Sequence, residues 1–109
     1  MSETGGPTPF AFAVLYRWRV REELVPQFLE GWRRMTLALR QERGGGGSCL
    51  HRAPDGTWVA YARWPSAEAR ARAFENGPVD PEASRLMREA ILESLPELCL
   101  EVTDDLLRA

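Results

Sequence analysis

The sequence contains no lysine; all fourteen of its basic side chains are arginine. It has one histidine, His51, and two cysteines, Cys49 and Cys99. These scarcities remove several classes of function. Two cysteines cannot build a disulfide framework, and with a single histidine they cannot complete a tetrahedral zinc site. No metal is therefore expected. The net charge of −2 offers no basic surface to nucleic acid. No apolar run reaches membrane-spanning length, and the first residues lack a charged segment followed by an apolar one. The expectation is a cytoplasmic chain without nucleic-acid or membrane partners.

What is present suits one packed domain. The chain has 109 residues, of which 44% are hydrophobic and 28% charged. Residues 1–9 are small, polar and broken by Gly5, Gly6, Pro7 and Pro9, which predicts a loose tail. Residues 10–109 read as a single domain. From Phe10 the pattern has period two. Phe10, Phe12, Val14, Tyr16, Trp18 and Val20 share one face of a strand, and Ala11, Ala13, Leu15, Arg17 and Arg19 share the other. Arg21-Glu22-Glu23 then opens a helix with acids in its first turn. Leu24, Phe28, Trp32, Met35 and Leu39 form its apolar stripe. The glycines from Gly44 to Gly47 end that helix and turn the chain into a strand. No Lys-Ser or Lys-Thr follows them, so they are not a phosphate-binding loop.

Pro54-Asp55-Gly56 suits a three-residue hairpin, a type I turn closed by a left-handed glycine. Pairing Ala53 with Thr57 sets the register of the flanking strands. Arg52 then faces Trp58, His51 faces Val59, Leu50 faces Ala60 and Cys49 faces Tyr61. Leu50, Trp58, Ala60, Ala62 and Trp64 fall on one side, and Cys49, His51, Val59, Tyr61 and Arg63 on the other. After Trp64, Pro65 stops the ladder and Ser66 caps a short helix over residues 67–74. Asp80-Pro81 caps a further helix. Its buried face is Ala83, Leu86, Met87, Ala90 and Ile91, and Pro96 is expected to end it. Leu98, Leu100 and Val102 then alternate as a last strand.

The order is strand, helix, strand, strand, helix, strand. This is the α+β ferredoxin-like βαββαβ arrangement, with an antiparallel four-stranded sheet ordered 4-1-3-2. That order puts Cys49 and Cys99 on opposite edges, too far apart to bridge, so both thiols should be free. Helices cover one sheet face. The other carries Leu15, Val59 and Tyr61, and an uncovered apolar face predicts a second copy, a homodimer.

Several stretches resemble the antibiotic biosynthesis monooxygenase family, whose members are dimeric α+β barrels. They are Tyr16-Arg17-Trp18-Arg19-Val20 leading into the first helix, Phe28 and Trp32 within it, and the glycine run. The last is Tyr61-Ala62-Arg63-Trp64-Pro65-Ser66-Ala67-Glu68-Ala69, similar to the family's third-strand Trp followed by a Ser-containing helix start. The resemblance spans roughly residues 10–102. It implies a pocket between sheet and helices. In some members it implies oxygenation of a phenolic or polycyclic aromatic small molecule by dioxygen, with no cofactor, metal or flavin. Such a pocket must be dry and aromatic, and it must supply a donor for developing negative charge.

On this basis Tyr16 and Trp64 are the catalytic candidates, with Trp18, Trp32, Ala60 and Ala62 as substrate-binding candidates. Each has a plainer reading beside it. Trp64 plugs the end of a core strand, Trp32 lies within an amphipathic stripe, and Tyr16 and Trp18 are buried aromatics. His51 is the candidate base as the one histidine, although the register puts it on the face away from Trp64. Arg63, also on that face, reads as a surface or dimer residue. Haem-degrading members of the wider superfamily use a first-strand Asn, the third-strand Trp and a second-helix His. This sequence has the Trp alone, so haem degradation is not expected. A non-catalytic aromatic-ligand-binding or biosynthetic accessory protein, and an isomerase or cyclase on the same barrel, are the other classes open to it.

Overall fold

The computed structural model describes residues 9–107. The tail expected over residues 1–9 lies outside them, apart from Pro9. The alternating run becomes β1, Phe12–Val20. A single 3-10 turn, Glu22–Leu24, leads into α1, Val25–Glu42, with Pro26 in the first turn where no N–H is missed. Helix α1 gives way at Gly44, whose φ of 80° is left-handed. Strands β2, Ser48–Arg52, and β3, Trp58–Trp64, follow. Their hairpin has the expected geometry. The Ala53 N–H bonds the Thr57 carbonyl at 2.8 Å, Gly56 has a φ of 91°, and Asp55 Oδ1 accepts the Thr57 N–H at 2.9 Å. The register expected from the loop is the one observed, from Arg52↔Trp58 to Cys49↔Tyr61.

Ser66 caps α2, Ala67–Ala73, by accepting the Ala69 N–H at 3.0 Å. Asp80 caps α3, Pro81–Ala90, through the Ala83 N–H, also at 3.0 Å. Helices α1 and α3 approach closely at Gly31. A Cβ there would lie 2.8 Å from the Ala83 carbonyl oxygen and 2.8 Å from Met87 Cγ.

The end of α3 corrects the expectation. The helix stops at Ala90, not at Pro96, and β4 runs from Ile91 to Glu101 with Pro96 inside it. Pro96 is tolerated because β4 is an edge strand and because the ladder is irregular there. Leu15 pairs with Leu98 and Arg17 with Leu95, so Pro96 and Glu97 together stand opposite Tyr16. This is a bulge, and Arg17 donates to the Pro96 carbonyl at 3.3 Å.

The antiparallel sheet has the order β2-β3-β1-β4, as expected. Cys49 and Cys99 sit on its two edge strands as free thiols. One core cluster joins Phe28 of α1, Trp58 and Ala90; a second joins Val14, Trp64 and Ala73. On the other sheet face, Leu98 is 53% exposed and Leu15, Val59 and Tyr61 are half-buried. Arg63, on that face, does not reach freely into solvent as expected. Its side chain is only 13% exposed, and its guanidinium donates to the Phe10 carbonyl at 2.9 Å and pairs with Asp105 at 3.0 Å. It ties the entry of β1 to the segment after β4. Among the described residues, no helix is long and apolar enough to cross a membrane.

Candidate functional site

Between the sheet and α1 lies a cavity of about 170 Å³. Strand β1 contributes Tyr16 and Trp18, β3 contributes Ala60, Ala62 and Trp64, and α1 contributes Trp32, Met35 and Leu39. The pleat puts these residues here. Tyr16 pairs with Ala60 and Trp18 with Trp58, so alternate residues of both strands face the helices together. Ala60 and Ala62 carry one methyl each, and the space beside the indoles is what those small side chains leave. The glycine run closes one side through Gly45 and Gly47, and Ser48 stands at the start of β2.

The aromatic residues pack in two groups. Tyr16 stacks on Trp18 with centroids 5.7 Å apart and planes within 3°. Trp18 meets the edge of Phe28 at 5.4 Å, and Phe28 packs on Trp58 at 5.7 Å. Trp64 is 2% exposed and packs edge-on against Phe74 at 5.9 Å. It is packed as a core residue and also borders the cavity.

The Tyr16 hydroxyl oxygen accepts two hydrogen bonds from Arg70 of α2, from Nε at 3.2 Å and from a terminal nitrogen at 2.9 Å. Arg70 is held in turn by Glu97 of the β4 bulge, at 2.9 Å. Burial pushes the Tyr16 hydroxyl above its ordinary pKa, and the Arg70 charge opposes this without reversing it. Tyr16 is therefore neutral at physiological pH. With its lone pairs engaged by Arg70, its proton remains to be donated.

Two buried polar atoms have no hydrogen-bond partner among the described residues: the Ser48 hydroxyl oxygen and Trp64 Nε1. Both residues line the cavity.

The structure therefore gathers Tyr16, Trp18, Trp32, Ala60, Ala62 and Trp64 around one space. It does not bring His51 there. His51 is exposed on the opposite sheet face, and its Nδ1 lies 3.1 Å from the Val59 carbonyl. The sequence analysis does not single out Arg70, Glu97 or Ser48, which the structure places at or behind the cavity wall. The hairpin register does carry a signal for Ser48, because one further pair sets it opposite Ala62. Arg70 and Glu97 depend on the packing of α2 and on the bulge, and no local pattern signals either. Among the described residues, no three His, Cys, Asp or Glu side chains converge as metal ligands.

No protein-family model matches the chain, and no curated protein matches it. Solved structures do. The cofactor-independent oxygenase SnoaB from Streptomyces nogalater superimposes with a TM-score of 0.71 at 18% identity, over 91% of this chain and 99% of that one. A candidate antibiotic biosynthesis monooxygenase from Caulobacter crescentus gives 0.73 at 12% identity, over 88% and 92%. A second, from Bordetella bronchiseptica, gives 0.73 at 16% identity, over 86% and 98%. Other neighbours are proteins of unknown function, one of them from Nitrosomonas europaea. The chain thus has the fold of structures named antibiotic biosynthesis monooxygenases, as its sequence motifs imply. At these identities the likeness is one of fold.

Proposed function

We propose that this chain is a cofactor-independent monooxygenase that oxidises a phenolic or polycyclic aromatic small molecule with dioxygen in the cavity between sheet and α1. The observation that carries the reading is Tyr16. It is a neutral phenol in an indole-lined space, with its oxygen held by Arg70 and its proton left to donate. Such a donor stabilises negative charge on a substrate oxygen, and a dry site strengthens that interaction. Trp64 and Trp18 offer faces for an aromatic ring, while Ala60 and Ala62 leave it room. That SnoaB, a structural neighbour, is named a cofactor-independent oxygenase adds support from the fold.

Of the titratable residues that border the cavity, Tyr16 presents its side chain to it while Arg63 turns its own to the opposite sheet face, and a neutral phenol is not a base. The substrate in this reading is acidic enough to ionise close to neutrality. Its carbanion or phenolate reduces dioxygen directly. For an activated CH₂ group, one oxygen atom ends in the new carbonyl and the other leaves as water, with both protons drawn from that carbon. The protein holds the ring, excludes water and stabilises the oxyanion. The functional unit we propose is a homodimer, with the open apolar sheet face covered by a second copy.

An oxygen electrode tests the reading, with a hydroxylated anthrone or hydroquinone in chelator-treated buffer. Protein-dependent oxygen uptake that falls in Tyr16→Phe is the expected result. Binding of the aromatic without oxygen uptake would favour a ligand-binding or isomerase role on the same barrel.

A further inference from the structure

Most buried polar groups in a folded protein have a hydrogen-bond partner, so each exception asks for one. Among the described residues two exceptions fall on the wall of one cavity. Trp64 is 2% exposed, yet neither its indole N–H nor the buried Ser48 hydroxyl has a hydrogen-bond partner among the described residues. Both line the cavity. Ser48 pairs with Ala62, which makes Trp64 its diagonal neighbour across the β2–β3 ladder, two residues along the same face. Most of the other residues that line the cavity are apolar or glycine, so two unpartnered polar groups on one side of it stand out.

We infer that Ser48 and Trp64 together read a pair of oxygen substituents on one edge of the aromatic ligand, which makes Ser48 a specificity-determining residue of the site. The assignment rests on the aromatic-ligand reading proposed above and narrows it. The roles follow from the side-chain chemistry. The indole N–H only donates, so it requires an acceptor, a phenol or carbonyl oxygen. The serine hydroxyl donates and accepts, so it takes either a hydroxyl or a carbonyl. Diagonal neighbours on a ladder stand about 7–8 Å apart at their backbones. With both side chains on one face of adjacent strands, the proposal places the two groups at neighbouring positions of one ring system rather than at its opposite ends. Tyr16, on β1, lies beyond β3 from Ser48 and serves a different oxygen.

The test measures anaerobic binding of four compounds by tryptophan fluorescence or calorimetry: naphthalene, 1-naphthol, 1,5-dihydroxynaphthalene and 1,8-dihydroxynaphthalene. The last carries two oxygens on one edge; the 1,5 isomer carries the same two on opposite edges. The wild-type protein should prefer the 1,8 isomer to the 1,5 isomer by about fivefold to tenfold, the size of one added hydrogen bond. Ser48→Ala should abolish that preference and leave naphthalene and 1-naphthol binding unchanged. Its melting temperature should not fall, because the hydroxyl removed has no protein partner. Trp64→Phe should weaken all three oxygenated compounds relative to naphthalene. Equal binding of the two isomers by the wild type would overturn the inference while leaving the aromatic-ligand reading intact, and a water bridging the two groups would give that result. So would a preference that survives Ser48→Ala. Failure of all four compounds to bind, naphthalene included, would overturn the inference and the aromatic-ligand reading together.

Discussion

Arg70 grips the Tyr16 hydroxyl oxygen with two nitrogens, at 3.2 and 2.9 Å, from a helix fifty-four residues further along the chain. Paired donors of this kind do more than fix the ring. They occupy the lone pairs of the phenol and lower the cost of placing negative charge near it. The first prediction follows from that pair. Tyr16→Phe removes the donor and little volume. Loss of one hydrogen bond to developing charge should raise the barrier for oxygen uptake by about 2–4 kcal/mol. Arg70 keeps Glu97, so the stability cost should stay near 1 kcal/mol. Initial rates and melting curves measured side by side check both numbers. A large loss of stability with unchanged rate would make Tyr16 a core residue only.

The second prediction concerns the ionisation of Tyr16. Burial raises its pKa in the folded protein above the ordinary 10.0. Between the unfolded and folded values the native state binds the extra proton. Stability from this group is therefore complete below the unfolded value and is lost as pH rises toward the folded one. Subtracting the alkaline absorbance titration of Tyr16→Phe from that of the wild type isolates this phenol. Its midpoint should lie above 10.

A third prediction addresses the acid side. The Ala83 N–H holds the Asp80 carboxyl below its usual range, with Arg34 adding to the effect. Here the unfolded chain binds the proton more readily. The contribution is present above the unfolded value, about 3.9, and disappears as pH falls through the lower folded value. Asp80→Asn keeps an acceptor at the cap and removes the charge. Its melting temperature should change less between pH 5 and the acid limb than that of the wild type, by calorimetry.

Fourth, Gly31→Ala should destabilise the protein despite the better helix propensity of alanine. The added methyl would meet the Ala83 carbonyl oxygen and Met87 Cγ, each at 2.8 Å. Overpacking of this kind costs about 1–3 kcal/mol, more than the roughly 1 kcal/mol that propensity returns. Denaturant unfolding gives the difference. Because Met87 also lines the cavity, aromatic binding should change with it.

The fifth prediction is the homodimer. Sedimentation equilibrium at micromolar concentration should give twice the chain mass. Leu98→Glu, on the open face, should shift the protein to a monomer with unchanged helix and strand content. A wild-type monomer at that concentration would end the proposal.

Much of this architecture can be read from the sequence because short-range chemistry fixed it. Pro54-Asp55-Gly56 permits one tight hairpin, and that hairpin sets which residues of β2 and β3 share a face. From this alone Trp64, Ala60 and Ala62 fall together and His51 falls opposite. Ser66 and Asp80 announce their helices in the same local way. The boundary between α3 and β4 was not legible. Ala90, Ile91, Leu95 and Leu98 are spaced like a helical stripe, and Pro96 looks like its stop. Only pairing with β1 turns those residues into a strand, and pairing is a long-range event. Arg70 was illegible for the same reason, since its partners come from β1 and β4.

The bulge at Pro96 and Glu97 acts as a phase shift in the strand. Without the extra residue, Leu95 and Leu98 would point in opposite directions, because an odd spacing changes sides. With it, Leu95, Leu98 and Leu100 fall on the open face in one line. The same insertion leaves Glu97 within reach of Arg70 on the helix side. One supernumerary residue thus serves two masters, composing the outer apolar seam and supplying the carboxylate behind Tyr16. Deleting it would turn over half of the strand, and the apolar face we propose for the second copy would be lost together with the anchoring of the phenol in the cavity.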